Sequence, residues 1–321
     1  MLNGNKTWII IAALLIVVGA GLFTVAMSLN GWNFTKLSTR PYITKSHEIT
    51  DSFTNITVNT NTADIVLLPS EDGICRVTCT DDEHVTYEVA VRDGTLEINP
   101  FYKKKNWYEY IAINFGQSKI TLELPEAAYG ALLIRKSTGK IEVPEDFAFE
   151  SLDIQTSTGD VSVLAAVSGD LKIHTGTGDI WMDGSTPTSV DLSVSTGDIH
   201  ADRIACFGNV TVSVSTGKTY LTDLTCKNLN TTGNTGDITL KNVIAEQAFS
   251  ITRTTGDVTL EGCDAAEIFI ETDTGDVKGS LRTNKVFIHN TNTGKVQLPE
   301  STTGGICKIT TSTGDIRITV Q

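Results

Sequence analysis

The sequence predicts an all-β fold: a single-chain β-solenoid of about ten coils of 19–20 residues, with degenerate coils at its start and one transmembrane helix before them. Three observations predict it. First, Thr-Gly followed by Asp or Lys recurs at Gly139, Gly159, Gly178, Gly197, Gly217, Gly236, Gly256, Gly275, Gly294 and Gly314, with gaps of 20, 19, 19, 20, 19, 20, 19, 19 and 20 residues. A catalytic loop occurs once in a chain, whereas a corner recurs once per repeat. Second, Thr, Asp, Val and Ile are frequent and long helical runs of Ala, Leu, Glu and Lys are absent, which suits strands. Third, Thr7 to Leu29 is 23 residues without a charge.

Taken in order, residues 1–6 form a short tail and 7–29 the transmembrane helix. At about 1.5 Å per residue that helix spans a hydrocarbon core of about 30 Å with some tilt. A cleaved signal peptide has a shorter apolar core and a small-x-small site, and TVAMS (24–28) is a poor one. An uncleaved single-pass anchor is therefore expected. Lys6 on one flank and Lys36, Arg40 and Lys45 on the other do not favour an outside domain by a literal positive-inside count. The acidic, Thr-rich, all-β character of the domain favours the extracytoplasmic side. Residues 30–48 read as a linker.

Residues 49–130 read as degenerate coils that cap the stack, since terminal repeats are atypical. Thr62-Ala63-Asp64-Ile65 is a decayed corner, with Ala63 lying 76 residues, four times 19, before Gly139. FYKKKNWYEY (101–110) interrupts the strands with three Lys and five aromatic residues, and reads as an exposed hairpin or an interfacial contact.

Residues 131–321 are the repeats. Counting each glycine as zero, position −1 is always Thr, and +1 is Asp in seven coils and Lys in three (Lys140, Lys218, Lys295). Position +2 is Ile or Val in nine coils, the exception being Thr219. Positions −7 and −5 are mostly apolar. Strand alternation then places −7, −5, −3 and −1 inward before the glycine, and +2 and +4 inward after it. The slip of one residue requires a turn, which glycine supplies by taking positive φ. Stacked at about 4.8 Å, ten corners make a rod about 45–50 Å long, with Ile and Val ladders inside and an inward Thr ladder.

The outward Asp column repels itself, and Lys at the first, fifth and ninth corners divides it into runs of three, three and one. A calcium ladder is the functional alternative for this column, but the nine-residue calcium β-roll pattern is absent. Six cysteines show no zinc-type spacing and read as buried small hydrophobes; Cys206 and Cys226 stack on neighbouring coils and could bridge if the domain is extracellular.

The recurring S/T-x-T-G-D-[IV] corner, the DGTLEI strand and the LELPE segment resemble the bacterial β-strand-repeat "putative adhesin" family of unknown function, which includes LiaG-like envelope proteins. The resemblance covers about residues 50–321. It implies a membrane-anchored envelope protein and supplies no catalytic residue.

The net charge of −13 argues against nucleic acid as a partner, because phosphate binding needs a basic face. The five His are scattered with no nucleophile beside them, so no catalytic, cofactor or metal residue is assigned and no enzyme is expected. The leading expectation is an adhesin or envelope scaffold at the cell membrane, with a cell-surface, glycan or envelope-protein partner. An accessory of an envelope-stress signalling system is the alternative, and a carbohydrate-active β-helix enzyme is third. The last strand, IRITV, shows no capping helix, so its open edge is expected either to pair, with a partner or with another copy, or to be blunted by Arg317 and the terminal carboxylate.

Overall fold

The computed structural model describes residues 4–33, 42–103 and 118–321. A helix over Gly4–Leu29 precedes one continuous β-stack. Its Trp8–Leu29 segment is long and apolar enough to cross a membrane, and of its residues only Met27 is buried.

The coils are numbered 1 to 10 by their corner glycines, Gly139 to Gly314. Each carries a strand before the corner and a strand after it, and both pair in parallel and in register with like residues of the neighbouring coil. Ile154, for example, lies between Ile134 and Ile173, and Val161 lies between Ile141 and Ile180. Like side chains therefore stack over one another, and the apolar ladders form one buried core along the rod. Burying rows of Ile, Leu and Val at about 25 cal/mol per Å² is the main stabilising term.

A second corner, which the sequence reading did not find, lies six residues after the first. Gly184, Arg203, Asp223, Asn242 and Gly262 stack there in the left-handed region, with φ of +71°, +53°, +50°, +53° and +61°. Asp, Asn and Gly tolerate this conformation, but no single residue type marks the column. After it the chain turns in again at Cys206, Cys226, Ala245 and Ala265, all buried.

The inward set before the glycine ends earlier than alternation implies. Thr at −1 is exposed in every coil from Thr138 to Thr313, while −3 is buried or partly buried. The inward Thr ladder is thus at −3, and its hydroxyls satisfy carbonyls of the corner below. Thr175 and Thr311 donate to Gly159 O and Gly275 O, each at 3.2 Å. The −1 residue contributes its backbone: Thr158 O accepts from Gly139 N–H at 3.0 Å.

The first strands are not a run of degenerate coils. Asn55–Asn59 and Asp64–Pro69 form one coil that pairs directly with coil 1. Asp64 Oδ1 accepts from Lys140 N–H at 2.7 Å, as an ordinary corner Asp does, so 76 residues separate adjacent coils rather than four steps. The intervening chain forms a cap. Cys75–Asp82 runs antiparallel to both Tyr42–Ile49 and Lys119–Leu124, and Val85–Arg92 with Thr95–Tyr102 makes an antiparallel hairpin. The segment expected as a linker therefore includes a strand from Tyr42 onward. The FYKKKNWYEY reading falls largely on 104–110, outside the described residues.

The order of the last coils also departs from chain order. Coil 8 pairs with coil 10 through Val277 and Ile316, and coil 10 pairs with coil 9 through Ile316 and Val296. The pre-corner strands agree, with Gly305–Thr313 lying between the strand that ends at Thr274 and Lys285–Thr293. The C-terminal strand Ile316–Val320 is thus inside the stack. The free edge belongs to Lys285–Thr293 and Val296–Gln297 of coil 9.

Candidate binding surface

The glycine column is the tightest feature of the fold. Nine of the ten corner glycines have φ between +116° and +156°; Gly294, on the end coil, is not among them. A Cβ on any corner glycine from Gly159 to Gly314 would lie 1.9–2.4 Å from the carbonyl oxygen of the corner stacked against it. The recurring tetrapeptide is a backbone contact site between coils.

The Asp column has a matching role. Asp160, Asp179 and Asp198 each present Oδ1 to the backbone N–H of residue +1 in the next coil, at 3.2, 2.7 and 2.7 Å. Asp237, Asp257, Asp276 and Asp315 do the same, the last reaching Lys295 N–H at 2.7 Å. Coil order makes the runs three and four, not three, three and one. Lys140 and Lys218 reach the next Asp at 3.6 Å, which offsets repulsion within the column. Among the described residues no group of three or more His, Cys, Asp or Glu is placed to hold a metal ion.

All six cysteines are free and buried, Cys206 and Cys226 included. Burial pushes Cys79, Cys226 and Cys307 up to about 12, so these thiols are poor nucleophiles.

Two cations replace the inward residue at −3. Lys136 in coil 1 donates to Ala63 O at 2.7 Å and Lys140 O at 2.9 Å, closing the decayed corner beneath it. Burial lowers its ammonium from the usual 10.5 to about 8. Because the folded value is the lower one, the burial penalty is present in full below about pH 8. It is relieved as pH rises towards 10.5, where the folded chain has released a proton that the unfolded chain still holds. The melting temperatures of wild type and Lys136→Met are therefore expected to keep a constant difference up to about pH 8, then diverge in favour of wild type. A difference that stays flat to pH 10.5 would show that Lys136 titrates normally.

Arg253 in coil 7 is 2% exposed and reaches across two coils. Its Nη1 donates to Val214 O at 2.8 Å and its Nη2 to Thr219 Oγ1 at 2.9 Å. Thr219 is the one polar residue at +2, and this bond is its reason. Gly233 occupies −3 in the coil between, where a Cβ would sit 1.8 Å from Arg253 Nη1. Arg253 Nε and Thr231 Oγ1 are buried with no hydrogen-bond partner among the described residues.

The outer surface carries one feature that composition did not reveal. Trp181, His200 and Tyr220 all lie at +3, on three consecutive coils. Their rings stack at centroid distances of 5.9 and 4.7 Å and interplanar angles of 7° and 12°. Trp181 is 37% exposed. The row is flanked by Asp179 and Asp198 at +1 and by Asp183 and Asp202 at +5. Its in-register neighbours are small, Ser162 beside Trp181 and Thr239 beside Tyr220. A sequence signal existed in the aromatic spacing of 19 and 20 residues, but only the outward direction of +3 gives it meaning. Of the other His, His174 pairs with Asp191 at 3.2 Å and His289 lies on the end coil.

Several solved structures are similar to this chain. A "putative adhesin" from Bacteroides fragilis is 16% identical, covering 88% of this chain and 99% of that one, with a TM-score of 0.35. A "putative adhesin" from Parabacteroides merdae is 11% identical over 88% and 98%, with a TM-score of 0.34. A "putative lipid binding protein" from Parabacteroides distasonis is 16% identical over 88% and 98%, with a TM-score of 0.26. No curated protein matches. The Toastrack DUF4097 family profile matches residues 53–206 and 207–321, which together hold both corner columns and the ring row, and the chain belongs to that family.

Proposed function

We propose that the protein is a non-enzymatic adhesion module of the cell envelope. The Trp8–Leu29 helix anchors it in the membrane, the solenoid lies on the extracytoplasmic side, and the Trp181–His200–Tyr220 row grips a surface glycan. The row is the observation that carries this reading. Stacking fixes the three side chains before a ligand arrives, which lowers the entropy lost on binding. Ser162 and Thr239 leave ring area open at each end of the row, where the apolar face of a pyranose can pack. Asp179 and Asp198, which give Oδ1 to the neighbouring corner, present Oδ2 as an acceptor for sugar hydroxyls.

Two measurements test it. Protease added to intact cells is expected to degrade the 42–321 domain; full protection would overturn the outside placement. The full chain in detergent is expected to co-sediment with insoluble peptidoglycan. Trp181→Ala and Tyr220→Ala should each weaken that at least tenfold with an unchanged melting temperature. Binding that survives both substitutions would remove the row from the function.

A further inference from the structure

The two ends of the stack are built differently. At the N-terminal end the cap strands cross antiparallel, and Tyr87, Leu96 and Ile98 close the core. The outermost strands there carry charges: Lys45 and Glu48 on one, and Glu88 and Arg92, paired as ions, on the other. These are the usual devices against edge pairing.

Coil 9, at the other end, has fewer of them: Lys285 at the start of one strand, and Lys295 and Pro299 on either side of the other. Among the described residues Lys285–Thr293 pairs on one side only, and no residue from Val286 to Thr293 is charged. Val296–Gln297 is likewise paired on one side only. The core is open here. Val296, whose counterparts at +2 in coils 8 and 10 are fully buried, is 38% exposed, and Phe287 and Leu298 are only partly covered. No Asp or Glu lies between Asp276 and Glu300, in a chain of net charge −13. Of the four basic groups in that stretch, Lys285 is held by Asp264 at 2.5 Å and Lys278 by Asp257 at 3.9 Å, Arg282 donates to Gly262 O at 2.8 Å, and Lys295 stands exposed beside Val296.

We infer that the coil 9 end is a homophilic contact, pairing with the coil 9 end of a second copy about a two-fold axis perpendicular to the rod. The occupant follows from the shape of the opening. A single extended peptide could satisfy one edge strand but would leave the apolar centre uncovered. What fits is another solenoid end, offering two edge strands around an apolar centre. The capped, charged N-terminal end does not offer this, and the coil 9 end of a second copy does. In that arrangement each copy's edge strands run antiparallel to the other's, and Phe287, Val296 and Leu298 of both copies are buried against each other. Acid-free surfaces also let two acidic chains approach there without carboxylate repulsion. A symmetric contact of this kind closes at two copies. It does not depend on which side of the membrane the domain lies.

The test is the mass of the full chain in detergent, by light scattering with the detergent contribution subtracted. Wild type is expected at twice the 34.6 kDa of one chain. Val296→Lys places a charge in the open centre, where the side chain already meets solvent, so the monomer should keep its melting temperature while the mass halves. Ile306→Lys, an exposed site one coil further in, should leave the dimer intact. A monomeric wild type overturns the inference. So does a Val296→Lys protein that stays dimeric, because the membrane helix would then be holding the copies together.

Discussion

Gly236→Ala is expected to cost about 4 kcal/mol or more and to lower the melting temperature by about 10 °C, a large effect for one methyl group. Two terms contribute, and their sizes can be separated. Gly236 has φ +127°, a region closed to residues with a Cβ, and such strain costs of order 1–3 kcal/mol. The second term is contact: the new Cβ would lie 1.9 Å from Gly217 O. That atom is backbone held by the sheet, so relief requires coils 5 and 6 to separate. Gly73 isolates the first term. It has φ +74° but nothing within 4 Å of an added Cβ, so Gly73→Ala should cost only about 1 kcal/mol. Thermal unfolding of both variants decides the matter. Equal costs would mean that the corners are not in close contact. Because each coil touches only its neighbours, the Gly236 variant should also open locally first, with hydrogen exchange rising in coils 5 to 7.

Thr219→Val should destabilise by about 2 kcal/mol although it places at +2 the residue type that nine other coils carry there. The substitution removes one of the two acceptors of a fully buried guanidinium. Burial already works against that charge, lowering the Arg253 pKa from its ordinary value. Leaving a buried charge short of partners is costly, whereas replacing the whole polar set by apolar side chains is often near neutral. The double variant Thr219→Val with Arg253→Met is therefore expected within about 1 kcal/mol of wild type, with a coupling of at least about 1 kcal/mol between the sites. Additive costs would show that the Thr219–Arg253 bond contributes nothing.

This pair also shows where local reading stops. Thr219 looks like an isolated lapse in an apolar ladder, and its partner lies 34 residues away, two coils along. Gly233, between them, looks like one more glycine. The three residues explain one another only once coils 5, 6 and 7 are stacked. The ring row is a similar case, since its members become neighbours through register.

What the sequence determined by itself is whatever repeats. The period, the glycine corner, the apolar ladders at −7, −5, +2 and +4, and the apolar N-terminal helix are local or periodic signals, each restated many times along the chain. Tertiary structure decided what depends on which coil pairs with which. Near-identical corners offer near-identical pairing energies, so chain order is not binding. Coil 10, with Cys307, Ile309, Ile316 and Ile318 inward, can be buried on both sides and takes the interior place. Coil 9 has the polar His289 at −5, where other coils carry Ile, Leu or Val with the exception of Thr231, and it stays at the open end. The Thr slip at −1 has the same origin. Alternation fixes faces only while a strand runs straight, and the chain leaves the core two residues before the glycine because the stacked backbones there need the space.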